Sequence, residues 1–84
     1  MPKVPRDLTG IELVRLLNRE GFRVVRQTGS HIRLESSQTG NAGFAITIPN
    51  HSPIKIGTLN AILAEVSGHL GKTKAQLINY WFQS

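Results

Sequence analysis

The chain contains no cysteine. That excludes disulfides, iron–sulfur clusters and thiolate zinc sites. Acids are scarce as well: five Asp and Glu stand against ten Lys and Arg, a net charge of +5. With so few carboxylates, no HExxH and no close acidic pair, metal catalysis finds no ligand set. No Walker or dinucleotide glycine pattern occurs, so nucleotide-cofactor chemistry has no cradle. No run approaches the roughly 20 apolar residues of a membrane span. The opening Met1-Pro2-Lys3-Val4-Pro5-Arg6-Asp7 lacks the apolar centre of a signal peptide. The expectation is a soluble cytoplasmic protein with no cofactor, no metal and no membrane partner.

What remains is a basic chain of 84 residues, room for one domain spanning 1–84 with one modest core. Where the charge lies says more than its sum. Arg23, Arg26 and Arg33 fall between Gly21 and Glu35, against Glu35 as the single acid. Guanidinium forks match phosphate oxygens, and a basic balance suits nucleic acid. A solvated basic surface is the other reading.

Hydrophobic periodicity gives the elements. Thr9-Gly10-Ile11-Glu12 fits a capping box, and Leu8 with Leu13 fits a hydrophobic staple. The helix they open carries Leu13, Leu16 and Leu17 as its apolar stripe, and Gly21 supplies a left-handed cap. A strand is predicted over 22–27, a tight turn at Thr28-Gly29-Ser30 and a second strand over 31–35. Residues 36–43 read as a polar loop and 44–48 as a third strand, with Phe44, Ile46 and Ile48 inward and Ala45 and Thr47 outward. Pro49 ends it, and Ile54–Ile56 stays unassigned. A second helix is expected from Gly57 or Thr58 to about Ser67, broken by Gly68 and Gly71. Thr73-Lys74-Ala75-Gln76 opens a short last helix that buries Leu77, Ile78 and Trp81. The order is helix, three antiparallel strands, helix, short helix: an α+β sandwich with two helices on one sheet face and the other face open.

Gly29-Ser30-His31 is the segment richest in chemistry. Gly29 permits positive φ in the turn. Alternation then places Ile32 and Leu34 on one face and His31, Arg33 and Glu35 on the other. Histidine titrates near neutral pH and can move a proton on and off a hydroxyl. RNA supplies its own nucleophile, so one base, one acid and a cationic clamp suffice to cleave it. The alternative for His31 is an ordinary solvated strand residue. His51, between Pro49 and Pro53, is either a turn residue or a second acid–base or phosphate-binding group. Ser30 adjoins His31, but neighbouring strand residues point apart, so a catalytic triad is not expected. His69 at a helix end reads as structural or solvated. Tyr80-Trp81-Phe82 is either a base-stacking cluster or the docking face of the last helix.

These residues resemble a known family. Phe22-Arg23-Val24-Val25-Arg26-Gln27-Thr28-Gly29-Ser30-His31 is similar to the signature of HicA-type (YcfA-like) toxins. Ile48-Pro49-Asn50-His51-Ser52-Pro53 through Ile56-Gly57-Thr58-Leu59-Asn60-Ala61-Ile62-Leu63 is similar to the family's second segment, and Leu8-Thr9-Gly10-Ile11-Glu12-Leu13 matches its opening in kind. The resemblance covers nearly the whole chain. It implies a fold similar to a double-stranded-RNA-binding domain. It also implies a ribosome-independent mRNA interferase neutralised by a HicB-type antitoxin. The family's catalytic histidine falls on His31, with Gly29 and Ser30 as the motif positions around it. His51 matches a frequently occurring family histidine. The polar loop 36–43 and the ending Tyr80-Trp81-Phe82 depart from the family's usual pattern.

The leading reading is therefore the toxin of a type II toxin–antitoxin system, a metal-independent endoribonuclease acting on single-stranded RNA or mRNA. His31 is its expected general acid or base, and His51 a second such group. Arg23, Arg26, Gly29, Ser30, Arg33 and Lys55 are the expected RNA and phosphate contacts. One rival is a non-catalytic RNA-binding module of the same fold. Against it, the second helix starts with Ile56-Gly57-Thr58 and has only Lys55 nearby, where a duplex reader is expected to carry a lysine cluster. The other rival is an interaction protein whose arginines dock an acidic partner.

Overall fold

Thr9 starts the first helix by the expected reciprocal bonds. Its Oγ1 accepts from the Glu12 amide at 3.1 Å, and its own amide donates to Glu12 Oε1 at 2.9 Å. In the computed structural model, which describes residues 4–36 and 44–82, helix α1 runs Gly10–Arg19. The backbone hydrogen bond from Thr9, then its side chain, hold the Glu12 carboxyl below its usual value of 4.5. Leu13 and Leu17 are fully buried, Leu16 half so. Gly21, at φ 91, turns the chain out of the helix. Phe22 then enters the core as the first residue of the first strand.

Three antiparallel strands follow in the order β1-β2-β3: β1 Phe22–Thr28, β2 His31–Ser36 and β3 Ala45–Pro49. Ile32 and Leu34 of β2 and Ile46 and Ile48 of β3 face the helices and are buried. The expected β3 began at Phe44. It starts one residue later, because Phe44 turns its ring onto His69 while its carbonyl still accepts from the Ser36 amide at 3.0 Å. Pro49 is the last strand residue, not a terminator. It lies on an edge strand, where its missing N–H interrupts no ladder. The expected polar loop begins too early at Ser36, which is a buried β2 residue; its remainder, 37–43, lies outside the described residues.

Helix α2 spans Ile56–Leu70, longer at both ends than its glycines suggest. The Leu59 amide bonds the Lys55 carbonyl at 2.9 Å and closes the first turn before Gly57. Gly68 stays helical. Its mid-helix penalty is about 1 kcal/mol, and continuing for two residues packs His69 against Phe22 and Phe44 and half-buries Leu70. The helix ends where Gly71 adopts φ 72. Thr73 and Gln76 then exchange two capping bonds, 2.8 and 3.0 Å, and start α3, Lys74–Phe82. Leu77, Ile78 and Trp81 are buried, and the indole Nε1 donates to Glu20 Oε2 at 3.0 Å. Trp81 is therefore the docking anchor, while Tyr80 is exposed beneath Lys72 and Arg19. One core unites all three helices with the inner sheet face, and truncating any of its leucines is expected to cost about 2–5 kcal/mol.

Candidate active site

The hairpin turn places the first candidate residue. Thr28 pairs with His31, leaving Gly29-Ser30 as a two-residue loop. Gly29 has φ 55, and no other residue of the turn has positive φ. That is the arrangement in which glycine must occupy the first central position. His31 thus begins β2 with its side chain on the uncovered face, opposite Pro49 of β3.

Backbone bonds bring the second histidine alongside. The Asn50 amide donates to the Ser30 carbonyl at 2.6 Å, tying the 50–53 loop to the turn. The Gly10 amide donates to the His51 carbonyl at 2.9 Å, and the Ile54 amide to the Leu8 carbonyl at 2.8 Å. Ile54 is buried and pins the loop's far end. At Gly10 the start of α1 presses directly on this loop. A Cβ there would lie 2.8 Å from both Asn50 Cα and the Pro49 carbonyl oxygen. Gly10 is a positioning residue that the sequence reading used only as part of a cap. Its signal was available: a poor helix former in the first helical position.

His31 and His51 line one cleft of about 360 Å³, together with Thr47, Pro49, Lys55 and Thr58. Both histidines and Lys55 are exposed. Lys55 is the N-cap of α2, whose first turn has no side-chain cap and no acid. The positive end of that helix therefore reaches the cleft without a carboxylate to match it. Thr58 of the same turn and Thr47 of β3 add hydroxyls that the sequence reading left out of the site.

The arginines divide. Arg26 pairs with Arg33, and Arg33 with Thr47, a row lying about 7 Å along the strands from the row of Thr28, His31 and Pro49. A β-bulge makes this possible. Val24 pairs with Leu34 and Arg26 with Arg33, so Val25 is the extra residue. Strict alternation from Phe22 would have sent Arg26 to the helix side. Arg33 Nε sits 3.8 Å from Glu35 Oε2, with both side chains about half exposed; a pair so open to water adds little stability. Arg23 pairs with Glu35 and lines a separate depression with Val25 and Ser36. It is not brought to the histidine cleft.

Two imidazoles, an ammonium, two hydroxyls and a helix N-terminus make a site suited to proton transfer on a phosphate ester. Among the described residues no group of three or more His, Cys, Asp and Glu side chains comes together as metal ligands.

The chain matches the family model of the HicA toxin of bacterial toxin–antitoxin systems over residues 10–67. It belongs to the HicA toxin family. No curated protein and no solved structure matches it. The matched span starts at the first residue of α1 and contains every described residue that lines the histidine cleft. Helix α3 lies outside it. As a HicA-family toxin the chain is the toxin component of a toxin–antitoxin system, and the family implies a HicB-type antitoxin as its partner. Among the described residues no helix is long and apolar enough to cross a membrane.

Proposed function

We propose that this HicA-family toxin is a metal-independent endoribonuclease that cleaves single-stranded mRNA by histidine acid–base transfer. The observation that carries the proposal is the shared cleft of His31 and His51, beside Lys55 and the uncapped first turn of α2.

In this reading one imidazole, His31, takes the proton from a ribose 2′-hydroxyl. The 2′-oxygen forms a bond to phosphorus as the bond to the 5′-oxygen breaks. His51, protonated, donates to the departing 5′-oxygen. The products are a 2′,3′-cyclic phosphate and a 5′-hydroxyl, and the two histidines exchange protonation states. Lys55 and the amides of α2's first turn face the non-bridging oxygens, whose charge grows in the transition state. Arg26 and Arg33 hold phosphates of adjoining nucleotides along the open face. Gly29 and Ser30 serve through the backbone, one by its φ and the other by its carbonyl bond to Asn50.

The test is cleavage of an end-labelled single-stranded RNA in EDTA by the chain and its His31→Ala variant. Cleavage by the parent alone supports the reading. The basic row of Arg26 and Arg33 equally suits a non-catalytic RNA-binding module. Salt-sensitive binding without cleavage, from a folded parent, would select that alternative.

A further inference from the structure

Strand β1 is one of the sheet's two edges, and among the described residues no strand pairs with its outer side. Every β1 residue after Phe22 is exposed. Val24 and Val25 are 45% and 49% exposed, two of the few large apolar side chains left in water among the described residues. Arg23 and Arg26 flank them directly. Beside the bulge lies a depression of about 240 Å³, lined by Arg23, Val25, Glu35 and Ser36. An open strand edge offers alternating amides and carbonyls to another strand, and adjacent pockets read its side chains.

We infer that this edge docks an extended acidic strand of the antitoxin partner. The backbone offers a ladder that a peptide can complete and an RNA cannot. The valines offer an apolar contact, and the arginines select carboxylates on either side of it. A second copy of the chain is disfavoured by the same residues. Antiparallel self-pairing centred on Val24-Val25 would set Arg23 of one copy opposite Arg26 of the other, and like charges directly opposite destabilise a pair. The bulge also twists the edge away from long, flat self-association. Docking here would take Arg26 away from RNA without filling the histidine cleft. The toxin reading enters only in naming the partner; the edge does not depend on catalysis.

The probe is a seven-residue peptide of alternating Glu and Val, blocked at both ends. Added to the full chain, it is expected to protect the amides of residues 22–28 from hydrogen exchange. Methylating alternate peptide nitrogens keeps every side chain but removes ladder donors and is expected to weaken binding about tenfold or more. The double variant Arg23→Glu, Arg26→Glu, checked for folding by circular dichroism, is expected to lose affinity by a similar factor and to accept a Lys-Val peptide instead. The His31→Ala chain binds like the parent, so failure of the ribonuclease reading leaves this result standing. No binding, indifference to N-methylation, protection mapped elsewhere, or dimerisation of the chain through β1 would each overturn the inference.

Discussion

Two ends of the same sheet hold histidines in opposite states. At one end His31 and His51 line an open cleft beside a lysine and a bare helix N-terminus. At the other, His69 stacks on Phe44 with centroids 4.1 Å apart and planes at 9°, meets Phe22 edge-on, and bonds Ser36 Oγ at 3.0 Å. The imidazole is the same; its neighbours differ. A half-buried ring with aromatic and hydrogen-bond partners holds α2 to the base of the sheet. An exposed ring facing a cleft, with no side-chain hydrogen bond among the described residues, has its nitrogens open to the cleft.

The largest expected effect lies at the open end. His31→Ala should lower RNA cleavage by about a hundred- to ten-thousand-fold, with His51→Ala following by a smaller factor, while thermal unfolding stays close to the parent's. An active, folded His31→Ala protein would remove the distinction between the two ends. Gly10→Ala comes next. The new methyl collides with backbone at Pro49 and Asn50, so unfolding in urea should show a loss of about 1–3 kcal/mol. Cleavage should fall as well, because the displaced segment carries His51.

At the closed end the pattern reverses. His69→Ala should cost about 1–3 kcal/mol through the lost stack and hydrogen bond, with cleavage per folded molecule unchanged. Its abolishing cleavage while the fold persists would break the comparison from the other side. The smallest effect belongs to Glu12. Its carboxyl lies below the usual 4.5 when folded, so its contribution is present in full above that pH. The contribution fades as the pH falls through the lower, folded value. The melting-temperature gap between the parent and Glu12→Gln should therefore be widest near neutral pH and close in acid.

How legible each feature was depends on the range of the forces behind it. The capping boxes at Thr9 and Thr73, the turn at Gly29 and the alternation of β2 arise from bonds or periods within a few residues. They could be read directly. The end of α2 could not. A glycine at 68 is a local signal to stop, and it is overridden by aromatic contacts with residues more than twenty positions away. The face of Arg26 was equally hidden, since one inserted residue in β1 reverses every side chain beyond it. The meeting of His31 with His51 rests on three backbone bonds between distant segments, and of these only the one at the crowded Gly10 leaves a mark in residue type.

Residue types and their spacing already mark a basic, cysteine-free α+β chain with a histidine on a tight turn beside arginines. Those properties belong to composition and to local periodicity. Which histidines share a cleft, and which face of the sheet Arg26 takes, follow from the folded chain alone. Those are questions of register and of contacts across the fold. A bulge in β1 sets the face of Arg26, and backbone hydrogen bonds together with the crowded Gly10 set the loop of His51, through register, excluded volume and contacts at long range.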